Sequence, residues 1–142
     1  MKEIRSELSP GHIVVLVENI QDSISFYEAI GLPAFMQLEQ LAIIELRGGA
    51  HVLLMAKGSE ASKGLTTSRY GGQVKEVDEA FDFMIDGNTK EELELFRTDV
   101  LSNGVKASEL NEGGFGHYIF SVTDPDGHNI YFYTSHEIKY IQ

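Results

Sequence analysis

With five histidines, 22 carboxylates and no cysteine, the chain carries its side-chain chemistry in imidazole, carboxylate and phenol groups. Lack of thiols removes disulfides, thiolate zinc sites and thiol nucleophiles. Six residues are the candidates for ligand contact: His12, His51, Asp82, His117, Tyr131 and Tyr133. Histidine and aspartate supply hydrogen bonds or metal donors. Tyrosine stacks on flat molecules and offers them a hydroxyl, although it serves equally well as filling. No nucleophile–base motif, dinucleotide fingerprint or phosphate-cradling loop is present. Gly48-Gly49 and Gly71-Gly72 lack the strand–loop–helix context that phosphate binding needs. No catalytic residue is therefore assigned.

Bulk properties narrow the partners. A formal net charge of −11 repels a phosphate backbone and offers anionic membranes no basic patch, so neither nucleic acid nor membrane is an expected partner. The balance of 42% hydrophobic and 23% charged residues is that of a globular domain. No apolar run approaches the ~20 residues of a membrane helix. Met1 to Glu7 lacks the apolar core of a secretion signal, which makes a cytoplasmic home the expectation.

The candidates lie on elements with a repeated order. Gly11 to Val17 is β-branched and reads as a strand. Glu18 to Asp22 offers helix caps, and Ser23 to Ile30 has apolar residues at helical spacing until Gly31-Leu32-Pro33 stops it. Short strands follow at 34–37, 41–47 and 50–55, giving βαβββ. The stretch from 58 to 78 is turn-rich and weakly apolar, and reads as a linker or surface flap. The order then recurs: a strand at 80–85, a turn and cap at 86–89 and a helix at 90–101, with Leu93, Phe96, Val100 and Leu101 on one face. A short strand at 105–110 and a turn at 111–114 lead into the last hairpin. There Asp124-Pro125-Asp126-Gly127 joins two aromatic and β-branched strands between 116 and 133. The expected layout is one domain over 1–142: module one over about 10–57, the linker over about 58–78 and module two over about 79–137. Neither module buries its own sheet face, which implies pairing into one shared α+β structure.

Alternation sorts the strand residues. Ile13, Val15, Val17, Val52, Leu54, Phe81, Phe83, Ile85, Ile130 and Phe132 form an apolar side that belongs under the helices. The opposite side carries His12, Val14, Leu16, His51, Leu53, Met55, Ala80, Asp82, Met84, Asn129, Tyr131 and Tyr133. Apolar walls with a few polar groups have the composition of a ligand site; a dimer face or solvent face is the plainer alternative. His128 at the turn exit is expected to be exposed or capping, and His136 to face solvent.

The doubled βαβββ order, the Gly-His-Ile-Val-Val-Leu-Val opening and the Asp-Pro-Asp-Gly-His hairpin together resemble the vicinal oxygen chelate superfamily over about residues 10 to 137. Glyoxalase I, fosfomycin- and bleomycin-resistance proteins and extradiol dioxygenases belong to it. The resemblance implies two βαβββ modules forming a curled eight-stranded mixed sheet, helices on the outer face, often within a homodimer. It also implies metal donors at four strand positions, which in this chain are His12, Leu53, Ala80 and Tyr131. Alanine and leucine have no donor atom and a neutral phenol is a poor ligand, so the usual metal site is absent and no cofactor is expected. A rearranged set drawn from His12, His51, Glu45 and Asp82 is chemically allowed.

Three functions follow. The favoured one is a metal-independent protein that holds a small organic molecule, as the bleomycin-resistance branch does. The second is a metal-dependent lyase, transferase or dioxygenase with rearranged ligands. The third is a dimeric interaction domain with no small-molecule role.

Overall fold

Strand and helix positions follow the local chemistry closely. The computed structural model describes residues 1, 3, 6, 11–60, 62, 81–85, 89–113 and 117–134. The described elements are β1 (His12–Val17), α1 (Ile20–Ala29), β2 (Ala34–Gln37), β3 (Leu41–Glu45), β4 (His51–Ala56), β5 (Phe81–Met84), α2 (Lys90–Ser102), β6 (Asn111–Glu112), β7 (Tyr118–Thr123) and β8 (Asn129–Tyr133). A short 3-10 turn over Arg47–Gly49 links β3 to β4. The eight strands form two four-stranded mixed sheets, ordered β1-β4-β3-β2 and β5-β8-β7-β6. In each, a parallel pair sits beside antiparallel neighbours. This is the doubled βαβββ pattern expected from the sequence.

The chain divides into two compact units, Met1–Ile24 with Leu32–Val74, and Ser25–Gly31 with Lys75–Gln142. In the first unit, Val15, Val17, Val52 and Leu54 are buried, as alternation requires. In the second, Ile130, Phe132, Phe120 and Val122 are buried together with Leu93 and Val100 of α2. Each such fully buried aliphatic or aromatic side chain contributes roughly 1.5–3 kcal/mol. The Phe96 ring meets Phe132 edge-on at 4.9 Å and Phe120 at 5.8 Å, closing that core. The second half of α1 groups with this unit because its side chains and carbonyls bond there. Asn103 Nδ2 donates to the Ala29 carbonyl at 3.0 Å, and Phe96 lies close to Gly31.

Several boundaries differ from expectation for identifiable reasons. Helix α1 begins at Ile20, earlier than the periodic run, because Asn19 Oδ1 accepts the Asp22 amide at 3.0 Å and caps it. Thr89 caps α2 in the same way through the Glu92 amide, as expected. Leu101 is 41% exposed and does not join the buried face of α2. The sixth strand is Asn111–Glu112 rather than 105–110. Within 105–110 only a local link to β7 forms: the Ser108 amide donates to the Ser121 carbonyl, and the Ser121 amide donates to Ser108 Oγ. A side-chain oxygen there replaces the second ladder bond. Glu60 and Ser62 have helical backbone, and Ser59 Oγ accepts the Ser62 amide, a feature the composition of that stretch did not announce. The rest of the expected linker, together with Ala80 and His136, lies outside the described residues. Among the described residues no helix is long and apolar enough to cross a membrane.

Candidate ligand-binding site

In the first unit, pairing register aligns the candidate residues into rows. His12 pairs with His51 across β1 and β4, and His51 pairs with Glu45 across β4 and β3. The two imidazoles meet edge to face at 5.5 Å between centroids. The exposed Phe35 ring stands 6.2 Å from His51. One step further along the same face lies the row Val14–Leu53–Ile43, and beyond it Leu16–Met55–Leu41. These six side chains form one apolar cluster centred on Leu53 and Met55, which are 8% and 6% exposed. A polar row therefore borders an apolar floor.

The second unit repeats the arrangement with different chemistry. Asp82, Tyr131 and Ser121 form one row, and Met84, Tyr133 and Ile119 the next. Asp82 and Met84 are exposed, whereas Tyr131, Tyr133 and His117 are half-buried. The His117 ring lies 5.7 Å from that of Tyr133. The Gly113 amide donates to the His117 carbonyl at 2.6 Å. A Cβ on Gly113 would lie 2.6 Å from His117 Nε2, so a larger residue there would have to displace that imidazole.

The hairpin between β7 and β8 holds a network of which sequence reasoning found only the capping of local amides by aspartate. Asp124 is buried. Its Oδ1 accepts the amides of Asp126 at 3.0 Å and His128 at 2.8 Å. Its Oδ2 accepts the Tyr27 hydroxyl at 3.0 Å and the His128 ring nitrogen Nδ1 at 2.8 Å. The carboxylate only accepts, so His128 carries its proton on Nδ1. The expectation that His128 is exposed or capping is corrected: it is half-buried and clamped to this carboxylate. The Asp-Pro-Asp-Gly-His turn signals the local bonds, whereas Tyr27, 97 residues away, carries no sequence signal. Ligand atoms of Asp124, Asp126 and His128 lie within 4.8 Å of one another. Each Asp124 oxygen already accepts two donors, which ties the hairpin to Tyr27 of α1.

Burial pushes the Tyr27 phenol well above its ordinary range, and the adjacent Asp124 carboxylate pushes it further. Its folded value therefore exceeds its unfolded value of about 10. The resulting stabilisation is complete below about pH 10 and is lost as pH rises, because the unfolded chain releases the proton first. Above that point stability should fall by up to about 1.4 kcal/mol per pH unit from this group. Denaturant midpoints measured between about pH 9 and 11 should fall more steeply for the wild type than for Tyr27→Phe. Equal slopes would show that the phenol ionises freely in the folded state.

The model of the Glyoxalase/Bleomycin resistance protein/Dioxygenase superfamily matches residues 9–132. The chain belongs to this superfamily. Comparison with curated proteins gives no match. Among solved structures, a lactoylglutathione lyase from Agrobacterium tumefaciens superposes with a TM-score of 0.73 at 18% identity, covering 96% of this chain and 100% of that one. An integron cassette protein from the mobile metagenome of V. cholerae gives 0.68 at 23% identity, over 93% and 98% of the two chains. A glyoxalase/bleomycin resistance protein from Catenulispora acidiphila gives 0.60 at 16%, over 88% and 97%. At these identities the likeness establishes the fold, not the reaction.

Membership sharpens the question of a metal, since the resemblance places donors at His12, Leu53, Ala80 and Tyr131. His12 retains a donor. Leu53 is packed into the apolar cluster, where a carboxylate would be stranded among Val14, Ile43 and Met55. Tyr131 offers only a phenol, in a row with Asp82 and Ser121. Ala80 has no donor atom. The residues at these positions do not fit the superfamily's metal.

Proposed function

We propose that the protein binds a small organic molecule without a metal, using the sheet faces that carry His12 and His51 in the first unit and Asp82, His117, Tyr131 and Tyr133 in the second. The observation that carries the reading is the Leu53–Met55 cluster. Where a metal-dependent relative would hold a donor, this chain holds an apolar floor beside a histidine row. Such a floor favours apolar contact, with the histidines and tyrosines orienting a ligand by hydrogen bonds and ring stacking. A homodimer in the cytoplasm is the setting this reading takes. The exposed apolar residues Phe35, Met36 and Leu38 on and beside the edge strand β2 support self-association.

A thermal-shift screen of organic compounds in excess EDTA tests the reading. Compounds that stabilise the protein should lose their effect in Tyr133→Ala or His51→Ala, while His12→Ala is expected to weaken binding without abolishing it. No stabilising compound, or stabilisation only when a divalent metal is supplied, would overturn it. A second reading rests on His12, His51 and Glu45, which occupy a single row across three adjacent strands, although among the described residues their donor atoms do not all come within 4.8 Å of one another. Two imidazoles and a carboxylate match the composition of a transition-metal site. Stoichiometric zinc, iron, manganese or nickel in protein purified without chelator would establish it.

A further inference from the structure

The second unit contains a cleft of about 600 Å³, between Gly104–Ser108 and Ser121–Thr123 and bordered by Phe26. That volume is typical of small-molecule sites. None of the residues proposed above to contact ligand lines it. Phe26, Val105, Ala107 and Val122 supply an apolar lining, and Lys106 supplies a charge.

The state of Lys106 points to the ligand class. In a chain with twice as many acidic as basic residues, 22 against 11, a lysine ordinarily finds a carboxylate. Lys57, Lys90 and Arg97 do so, lying 3.4–3.9 Å from Glu18, Glu94 and Glu109. Lys106 has no carboxylate partner among the described residues. Even the nearest glutamate in sequence, Glu109, is drawn to Arg97 instead. Two of the lining hydroxyls are committed, Ser108 Oγ donating to the Glu109 carbonyl and Thr123 Oγ1 to Asn129 Oδ1, and Ser121 also lines the cleft. The cleft thus combines apolar walls with one uncompensated cation.

We propose that this cleft is a second binding site, taking a compact amphipathic carboxylate. Its hydrocarbon part lies against Phe26 and Val122, and its carboxylate meets the Lys106 ammonium. Phenylacetate and its neutral analogue phenylacetamide are suitable probes for titration followed by amide chemical shifts. Phenylacetate should give saturable shifts at Gly104–Ser108 and Ser121–Thr123. Lys106→Gln, a change at an exposed side chain, should weaken phenylacetate about five-fold and leave phenylacetamide unchanged. The variant's spectrum reports at once whether its fold is intact. No saturable shift, equal weakening of both probes, or shifts confined to β1 and β4 would overturn the proposal. The last outcome would leave the proposed function standing, so the two readings fail separately.

Discussion

Asp124→Ala is expected to destabilise the protein by about 4 kcal/mol, because it strips the acceptor from four donors at once. The Tyr27 hydroxyl, the His128 ring N–H and two turn amides would be left facing an apolar gap. Each unsatisfied buried group costs roughly 1–3 kcal/mol, and relaxation with water entry at the turn recovers part of the sum. The loss is a large share of the roughly 5–15 kcal/mol that holds an ordinary domain together. For a chain of 142 residues it corresponds to a fall in Tm of about 10–15 °C. Asp124→Asn keeps one acceptor oxygen and should lose less. Calorimetry of the two variants beside Tyr27→Phe checks the account. An Asp124→Ala loss no larger than that of Tyr27→Phe would mean that the turn bonds contribute nothing beyond the phenol contact.

Leu53→Glu carries the second large effect. In a metal-dependent relative a carboxylate at this position would be solvated or ligated. Here it would enter the cluster of Met55, Val14, Leu16, Leu41 and Ile43 with no cation beside it. An uncompensated buried charge costs about 3 kcal/mol or more. Leu53→Met, which preserves volume and polarity, should cost less than about 1.5 kcal/mol. Urea unfolding of the two variants separates the possibilities. A Leu53→Glu loss within about 0.5 kcal/mol would place this face in water and remove the apolar floor from the account.

Much of this was legible in the chain before any coordinates. Alternation placed Val15, Val17, Val52 and Leu54 on one side of the first sheet and His12, His51 and Leu53 on the other, and the register agrees. The period-2 signal is strong wherever one face is buried, because a one-residue slip would expose the whole core row. Serine and asparagine chemistry was harder to read. Ser108 bonds to β7 through its side chain in competition with regular backbone pairing, whereas the Asn19 cap lies within the stretch that offered caps but starts α1 ahead of the periodic run. The bonds from Asp124 to Tyr27 and from Asn103 to Ala29 join segments 97 and 74 residues apart. Composition and periodicity carry no information about such contacts. Within the candidate site, the row His12–His51–Glu45 required only the register of three strands. The packing of His117 against Tyr133 carries no signal in composition or alternation.

We propose that this superfamily member grips an organic molecule by contact and hydrogen bonding alone. Native mass spectrometry of protein purified without chelator, before and after EDTA, tests it most directly. The expected spectrum shows the protein carrying an organic adduct whose occupancy EDTA leaves unchanged. One divalent ion per chain, removed by EDTA together with the organic adduct, would contradict it.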